Sequence, residues 1–218
     1  MSHKATNRGL FITVEGIDGA GKSTHITFIR EFLENIGHKV ITTREPGGTP
    51  CGEMIRDVLL HKAEAMHRMT ELFLLLASRQ ELIHNVIVPN LNQGICVLAD
   101  RFIDSSIAYQ AGGRNLGISK VKQALALLEP EIKPDLTFIF DVELSIATRR
   151  LHKNAKQDRI ERENSEFFVL VQDTYHQIAK MEPERVKLIN TAQEKQTTRA
   201  ELASYLTTLI SGSRPTPG

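Results

Sequence analysis

Residues 10–24 read LFITVEGIDGAGKST. Leu10 to Val14 is a short β-branched and aromatic run, the composition of a buried strand. The next stretch, Gly16-Ile17-Asp18-Gly19-Ala20-Gly21-Lys22-Ser23, fits G-x-x-x-x-G-K-[ST], and Thr24 follows it. From Lys22 a helical pattern runs to about Asn35, with Phe28, Phe32 and Ile36 spaced four residues apart. A glycine-rich turn between strand and helix lets successive backbone N–H groups converge on an anion. The helix adds its positive N-terminal end. The Lys22 ammonium suits the β and γ phosphates of a nucleoside triphosphate, and the Ser23 hydroxyl suits Mg²⁺. Residues Gly16 to Thr24 are therefore candidates for a donor site.

Working outward, four more short apolar runs read as strands: Lys39–Thr43, Ile95–Ala99, Leu136–Phe140 and Val186–Ile189. Helical signals lie between them, at about Cys51–Leu60, Met66–Val88 (ending before Pro89), Ser119–Leu128 and Arg199–Ile210. Strands alternating with helices predict an α/β fold of three layers, a five-stranded parallel sheet covered on both faces. Ligands in such sheets bind beyond the carboxyl ends of the strands.

The composition agrees with one folded domain over residues 1–210. The chain has 218 residues, 41% hydrophobic and 24% charged, so whole-chain disorder and coiled coils are excluded. The final SGSRPTPG, residues 211–218, reads as a flexible tail. A net charge of +1 argues against a nucleic-acid or membrane-surface binder. Two cysteines, Cys51 and Cys96, make neither a disulfide framework nor a four-cysteine zinc site. The N-terminus carries no apolar leader segment, and the longest apolar run, Leu72–Ala77, is far below the ~20 residues that span a bilayer. A cytoplasmic location is the expectation.

The other strand ends carry charge. Asp100 at the tip of the third run faces the glycine loop and is a candidate metal ligand, and Arg101 after it can clamp a phosphate bidentately. After the second run comes Thr43-Arg44-Glu45-Pro46-Gly47-Gly48-Thr49-Pro50, a turn that allows close backbone approach to a ligand. Leu72 to Ala77 ends in Ser78 and Arg79, and a guanidinium at the edge of an apolar pocket can hydrogen-bond a base carbonyl. These residues leave several readings open: kinases of nucleotides or of deoxynucleosides, or a nucleotide-dependent switch. The absence of NKxD weakens a guanine-nucleotide switch.

The blocks GIDGAGKST, TREPGGTP, ADRFIDSSIAYQAGGR and DRIERENSEFF, in that order, resemble bacterial thymidylate kinases. The resemblance implies a P-loop kinase fold and transfer of the γ-phosphoryl of ATP to dTMP with Mg²⁺, in a homodimer packed through helices of the Leu72–Ile87 region. It implies that Lys22, Ser23 and the loop hold ATP and its metal, with Asp100 near the metal. Asp18 organises the metal, the acceptor phosphate or a lid arginine. Glu45 and Pro46 line the acceptor site, Arg101 holds the dTMP phosphate, and Arg79 bonds the thymine edge. Ser106, Tyr109 and Gln110 match positions near base and sugar, with Tyr109 the candidate for excluding a ribose hydroxyl. Relatives usually stack a phenylalanine on the base four residues before this arginine. Here that position is Leu75, and Phe73 is about 200° away around the helix.

One branch of the family carries an arginine in the glycine loop, at the position of Gly19. Phosphoryl transfer still requires a cation over the migrating group. Residues 149–166 hold six Lys/Arg and four Asp/Glu and read as a lid. Arg159 matches the lid arginine of the other branch and is expected to close over ATP, while Arg150 matches a second basic position. Lys153 and Arg162 are weaker candidates. Asn190, after the last strand, is placed by sheet geometry near adenine.

Overall fold

A computed structural model describes residues 8–151 and 158–213 of the chain. Five strands form one sheet: β1 (Phe11–Glu15), β2 (Val40–Arg44), β3 (Cys96–Asp100), β4 (Leu136–Asp141) and β5 (Val186–Asn190). Every neighbouring pair is parallel, in the order β2-β3-β1-β4-β5. Around it lie α1 (Lys22–Asn35), α2 (Pro50–Asp57), α3 (Arg68–Leu82), α4 (Val88–Asn92), α5 (Ile103–Ser106), α6 (Ile118–Leu125), α7 (Leu144–Leu151), α8 (Ser165–Met181) and α9 (Lys195–Ser213).

Side chains alternate across the sheet, so the two faces bury separate cores. Ile12, Val14 and Leu98 pack with α1, α8 and α9 through Ile29, Leu33, Val171, Tyr175, Leu202 and Leu206. Phe11, Val97 and Ala99 pack on the other face with Leu82, Ile87 and Leu91. With both faces covered, β1 is wholly buried and β3 and β4 nearly so, which is why their sequences are continuous apolar runs.

Each strand runs one residue beyond its apolar run and ends on a polar side chain: Glu15, Arg44, Asp100, Asp141 and Asn190. The register sets Val14 beside Asp100, Arg44 beside Asp100, and Asp141 beside Asn190. The carboxyl edge of the sheet is thus a row of polar groups.

Three boundaries differ from expectation. The long helix does not stop before Pro89. Its α geometry passes into a π-helical turn at Ile83–Ile87, and the chain re-enters α4 with Pro89 in the first turn, where a missing N–H costs nothing. Helical backbone also covers Ile103–Gly113, where the glycines suggest a loop. A Cβ on Gly112 would meet Thr174 Oγ1 at 2.1 Å, so this glycine permits close approach of α8. Finally, α9 extends through Ser213, so residues 211–213, expected in the flexible tail, are helical. Residues 214–218 lie outside the described residues.

Candidate active site

The glycine loop connects β1 to α1, and Lys22 folds back over it. Its Nζ donates to the carbonyls of Gly16 and Ile17 and to Asp18 Oδ1, each at 3.1 Å. Arg101 reaches the same oxygen from β3, Nη2 to Asp18 Oδ1, at 2.7 Å. Burial alone would raise the Asp18 carboxyl. The Arg101 guanidinium and the Lys22 ammonium outweigh that and hold it well below the usual carboxylate range. One ionised oxygen therefore links the donor loop to the arginine expected to take the acceptor phosphate.

Arg101 has φ 73, a left-handed backbone rare for a side chain of its size. Its guanidinium lies over the Tyr109 ring, 4.9 Å from the centroid. The Tyr109 hydroxyl is buried without a hydrogen-bond partner, and burial raises its phenol so that it stays neutral.

Asp18 and Arg101 form one side of a cleft of about 810 Å³, counting its open mouth. All eight residues expected at the acceptor site line this cleft: Glu45, Pro46, Leu75, Arg79, Arg101, Ser106, Tyr109 and Gln110. Arg79 is only 1% exposed and anchors the wall. Its Nε and Nη2 grip Glu45, its Nη1 donates to Ser106 Oγ at 2.9 Å, and its Nη2 donates to the Phe102 carbonyl at 3.0 Å. Burial pushes the Glu45 carboxyl up against the opposing pull of Arg79. The glycines after Glu45 are pinned by side chains: Gly47 N–H donates to Ser78 Oγ, and Gly48 N–H to Glu53. Leu75 lines the cleft, whereas Phe73 is 56% exposed, as the 200° offset requires.

Arg159 also lines this cleft, on the wall formed with Asp158, Ile160 and Glu161. It is held there: Nε donates to the Leu59 carbonyl at 2.8 Å and Nη2 to Glu71 Oε2 at 2.7 Å. Glu71 also accepts from Gln110 and from Arg114. Burial opposes ionisation of Glu71, but these donors hold its carboxyl low. Arg150 sits away from that cleft, bridging the glycine loop to the end of β5 through the carbonyls of Gly19 and Thr191. Asn190 accepts the Ala192 N–H through Oδ1. Thr24 is exposed on α1. Arg162 is also exposed and turns back to the Asp158 carbonyl. Lys153 lies outside the described residues.

A divalent cation would fit between Ser23 and Asp100. Both border one crevice, and Asp100 Oδ1 is buried with no hydrogen-bond partner. No cluster of three or more His, Cys, Asp or Glu ligands occurs among the described residues, so any metal there would need phosphate oxygens and water as further ligands.

Sequence reasoning did not find Arg56, Leu59, Leu60, Glu71, Ser105, Asp158 or Glu161, all of which line the cleft. Arg56 donates to the Pro46 carbonyl at 2.8 Å. A sequence clue existed in the charged residues on the helical run after Pro50. Glu71, by contrast, reads as an ordinary surface carboxylate and is 1% exposed.

Comparison with known proteins agrees with this geometry. The family model described as thymidylate kinase matches residues 14–202. The chain is 47% identical over 199 residues to a thymidylate kinase of Methylobacillus flagellatus, covering 91% of this chain and 97% of that one. It is 42% identical over 202 residues to one of Nitrosospira multiformis, covering 93% and 98%. The crystal structure of a thymidylate kinase from Ehrlichia chaffeensis superposes with a TM-score of 0.76 at 35% identity, over 92% of this chain and 99% of that one.

Proposed function

The chain belongs to the thymidylate kinase family, and we infer that it transfers the γ-phosphoryl group of ATP to dTMP in nucleotide biosynthesis. In our reading an oxygen of the dTMP phosphate attacks the γ phosphorus as the bond to the β-bridging oxygen breaks, giving dTDP and ADP. The loop N–H groups and Lys22 hold the β and γ phosphates. Arg101 takes the acceptor phosphate, and Arg56 adds a second cation on the same cleft. Asp18 Oδ1 accepts from both Lys22 and Arg101, so the two cations assigned to the donor and acceptor phosphates meet at one carboxylate. That shared contact is the observation that carries the reading.

Ser23 and Asp100 would hold Mg²⁺, whose chemistry is to neutralise charge on the donor phosphates. Arg79, pre-oriented by Glu45, offers its guanidinium edge to the thymine, with Leu75 as apolar floor and Ser106 and Gln110 as polar neighbours. Tyr109 lies beside Arg101, where its ring excludes a 2′-hydroxyl. Arg159 supplies the transition-state cation from the lid side. Residues 1–210 act as one catalytic domain in a cytoplasmic homodimer, with the exposed Phe73 on α3 part of the surface between protomers.

The test is ADP release from Mg·ATP with dTMP, dUMP, dCMP or thymidine as acceptor. Release that requires dTMP and exceeds the other acceptors at least tenfold supports the reading. Preference for thymidine over dTMP would defeat it.

A further inference from the structure

We propose that Glu15 is a positioning residue: its buried carboxyl staples the backbone and guanidinium of Arg101 into the conformation that grips the acceptor phosphate. Glu15 ends β1, is wholly buried, and does not line the cleft. It nevertheless collects three hydrogen bonds. Oε1 accepts the Phe102 N–H at 2.8 Å. Oε2 accepts the Ser105 hydroxyl at 2.5 Å and the Tyr175 hydroxyl at 3.0 Å.

The consequence falls on Arg101. A residue with a Cβ at φ 73 is strained and persists only where its surroundings impose it. The peptides on both sides of Arg101 are tied to β1: its own N–H donates to the Val14 carbonyl at 2.9 Å, and the next N–H donates to Glu15. Arg101 Nη1 approaches Ser105 Oγ at 3.4 Å, and Ser105 in turn donates to Glu15. The guanidinium thus has one carboxylate directly, Asp18, and a second through Ser105. Tyr175 closes the network from α8, with its hydroxyl 2.9 Å from Ser105 Oγ. The charged groups around Glu15 fit a supporting role. Burial and Asp104 push its carboxyl up to about 8, while Ser105, Arg101 and the Phe102 N–H pull it down. Glutamine is its closest isostere and keeps the Oε1 acceptor for the Phe102 N–H.

The inference rests on Arg101 binding the dTMP phosphate, so the test separates the two. Calorimetric Kd values for dTMP and for thymidine, which lacks the phosphate, are measured on wild type, Arg101→Lys, Glu15→Ala, Glu15→Gln and Tyr175→Phe. If Arg101→Lys leaves the ratio of the two Kd values unchanged, the phosphate assignment itself fails. If it changes the ratio, Glu15→Ala should weaken dTMP by about 10- to 100-fold, the range of a lost hydrogen bond to a charged group, with thymidine within twofold. Glu15→Gln should restore dTMP binding to within threefold. Equal weakening of both ligands in Glu15→Ala, or unchanged dTMP binding in the folded variant, overturns the staple. If Glu15→Ala does not fold, Tyr175→Phe decides: a dTMP-specific loss of about threefold supports the staple, and no loss overturns it.

Discussion

Gly19 occupies the loop position where one branch of the family places an arginine, and the structure leaves no room for a side chain there. The backbone is left-handed, at φ +82. A Cβ would stand 2.4 Å from the Ala147 carbonyl oxygen of α7, whereas such contacts are essentially never shorter than 3.0 Å. Loop or helix must therefore move by at least 0.6 Å, and the obstacle is backbone, which cannot rotate away. The left-handed conformation alone costs a residue with Cβ about 1–2 kcal/mol. For a chain of this size that lowers Tm by roughly 2–8 °C. The same displacement shifts the N–H groups around the donor phosphates, and misplacement approaching 1 Å costs on the order of 10²-fold in rate. Gly19→Ala should therefore lose at least about tenfold in kcat/KM for ATP at saturating dTMP, by the same reasoning on misplacement. Steady-state kinetics and thermal unfolding of the ligand-free protein measure both effects. A variant with Tm within 1 °C and ATP kcat/KM within twofold of wild type would refute the argument. The stricter form is the transplant: Gly19→Arg placed in an Arg159→Ala background should not restore turnover. Restoration would mean that α7 yields easily and that the loop's lack of a cation has no steric cause.

Four further outcomes are expected. Arg159→Ala should lower kcat by ~10³-fold if it supplies the transition-state cation. A rise in dTMP KM at nearly constant kcat would instead restrict it to supporting Gln110 through Glu71. Arg79→Met leaves Glu45 buried without its partner, costing about 3–5 kcal/mol, or roughly 6–20 °C in Tm. Adding Glu45→Gln should recover part of that loss, and strict additivity of the two would show that the pair is not coupled. Glu15, raised from an ordinary 4.5 to about 8 when folded, binds its proton more tightly in the native state. Its contribution to stability is complete below pH 4.5 and is lost as pH rises through about 8, so the unfolding free energy from urea titrations should decline across that window. Glu15→Gln should flatten the decline, and an equal slope in the variant would exclude Glu15 as its source. Phe73→Glu should give monomers in light scattering if α3 forms the surface between protomers, and an unchanged mass would exclude Phe73 from that surface.

What was legible in the sequence follows from how local each signal is. The strand–loop–helix unit at residues 10–35 is continuous in sequence, and α1 begins and ends where its pattern says. The five strands stand out because two covered faces demand unbroken apolar runs. Their last residues were missed because Glu15, Arg44, Asp100, Asp141 and Asn190 break that pattern while continuing the hydrogen-bond ladder. Arg101, the Glu45-Pro46 turn and Arg79 could each be singled out locally, but their assembly could not, since Glu45 and Arg79 are 34 positions apart and nothing local says that they pair. Glu71 shows the limit most clearly. On α3 its neighbours in sequence are ordinary, and its meaning comes from Gln110, Arg114 and Arg159, which reach it from two other segments.

The net charge of +1 hides an arrangement of charges that composition does not reveal. Most of the cations in and behind the cleft walls are paired in advance: Lys22 and Arg101 share Asp18, Arg79 holds Glu45, and Arg159 and Arg114 share Glu71; Arg56 on the cleft donates instead to the Pro46 carbonyl. Each pair lowers the field that a distant polyanion would feel, because opposite charges about 3 Å apart cancel beyond a few ångströms. A ligand that enters the cleft meets a different balance. It can accept from guanidinium donors that the carboxylates leave unused, and it does so where little water competes. Asp18 makes this sharpest, since one carboxylate faces two cations and cannot neutralise both. The surplus positive charge lies where the glycine loop meets Arg101, the junction assigned to the two phosphates, and an arriving dianion would gain most there. A near-neutral chain can thus concentrate unpaired positive charge at one buried junction while its overall field stays small.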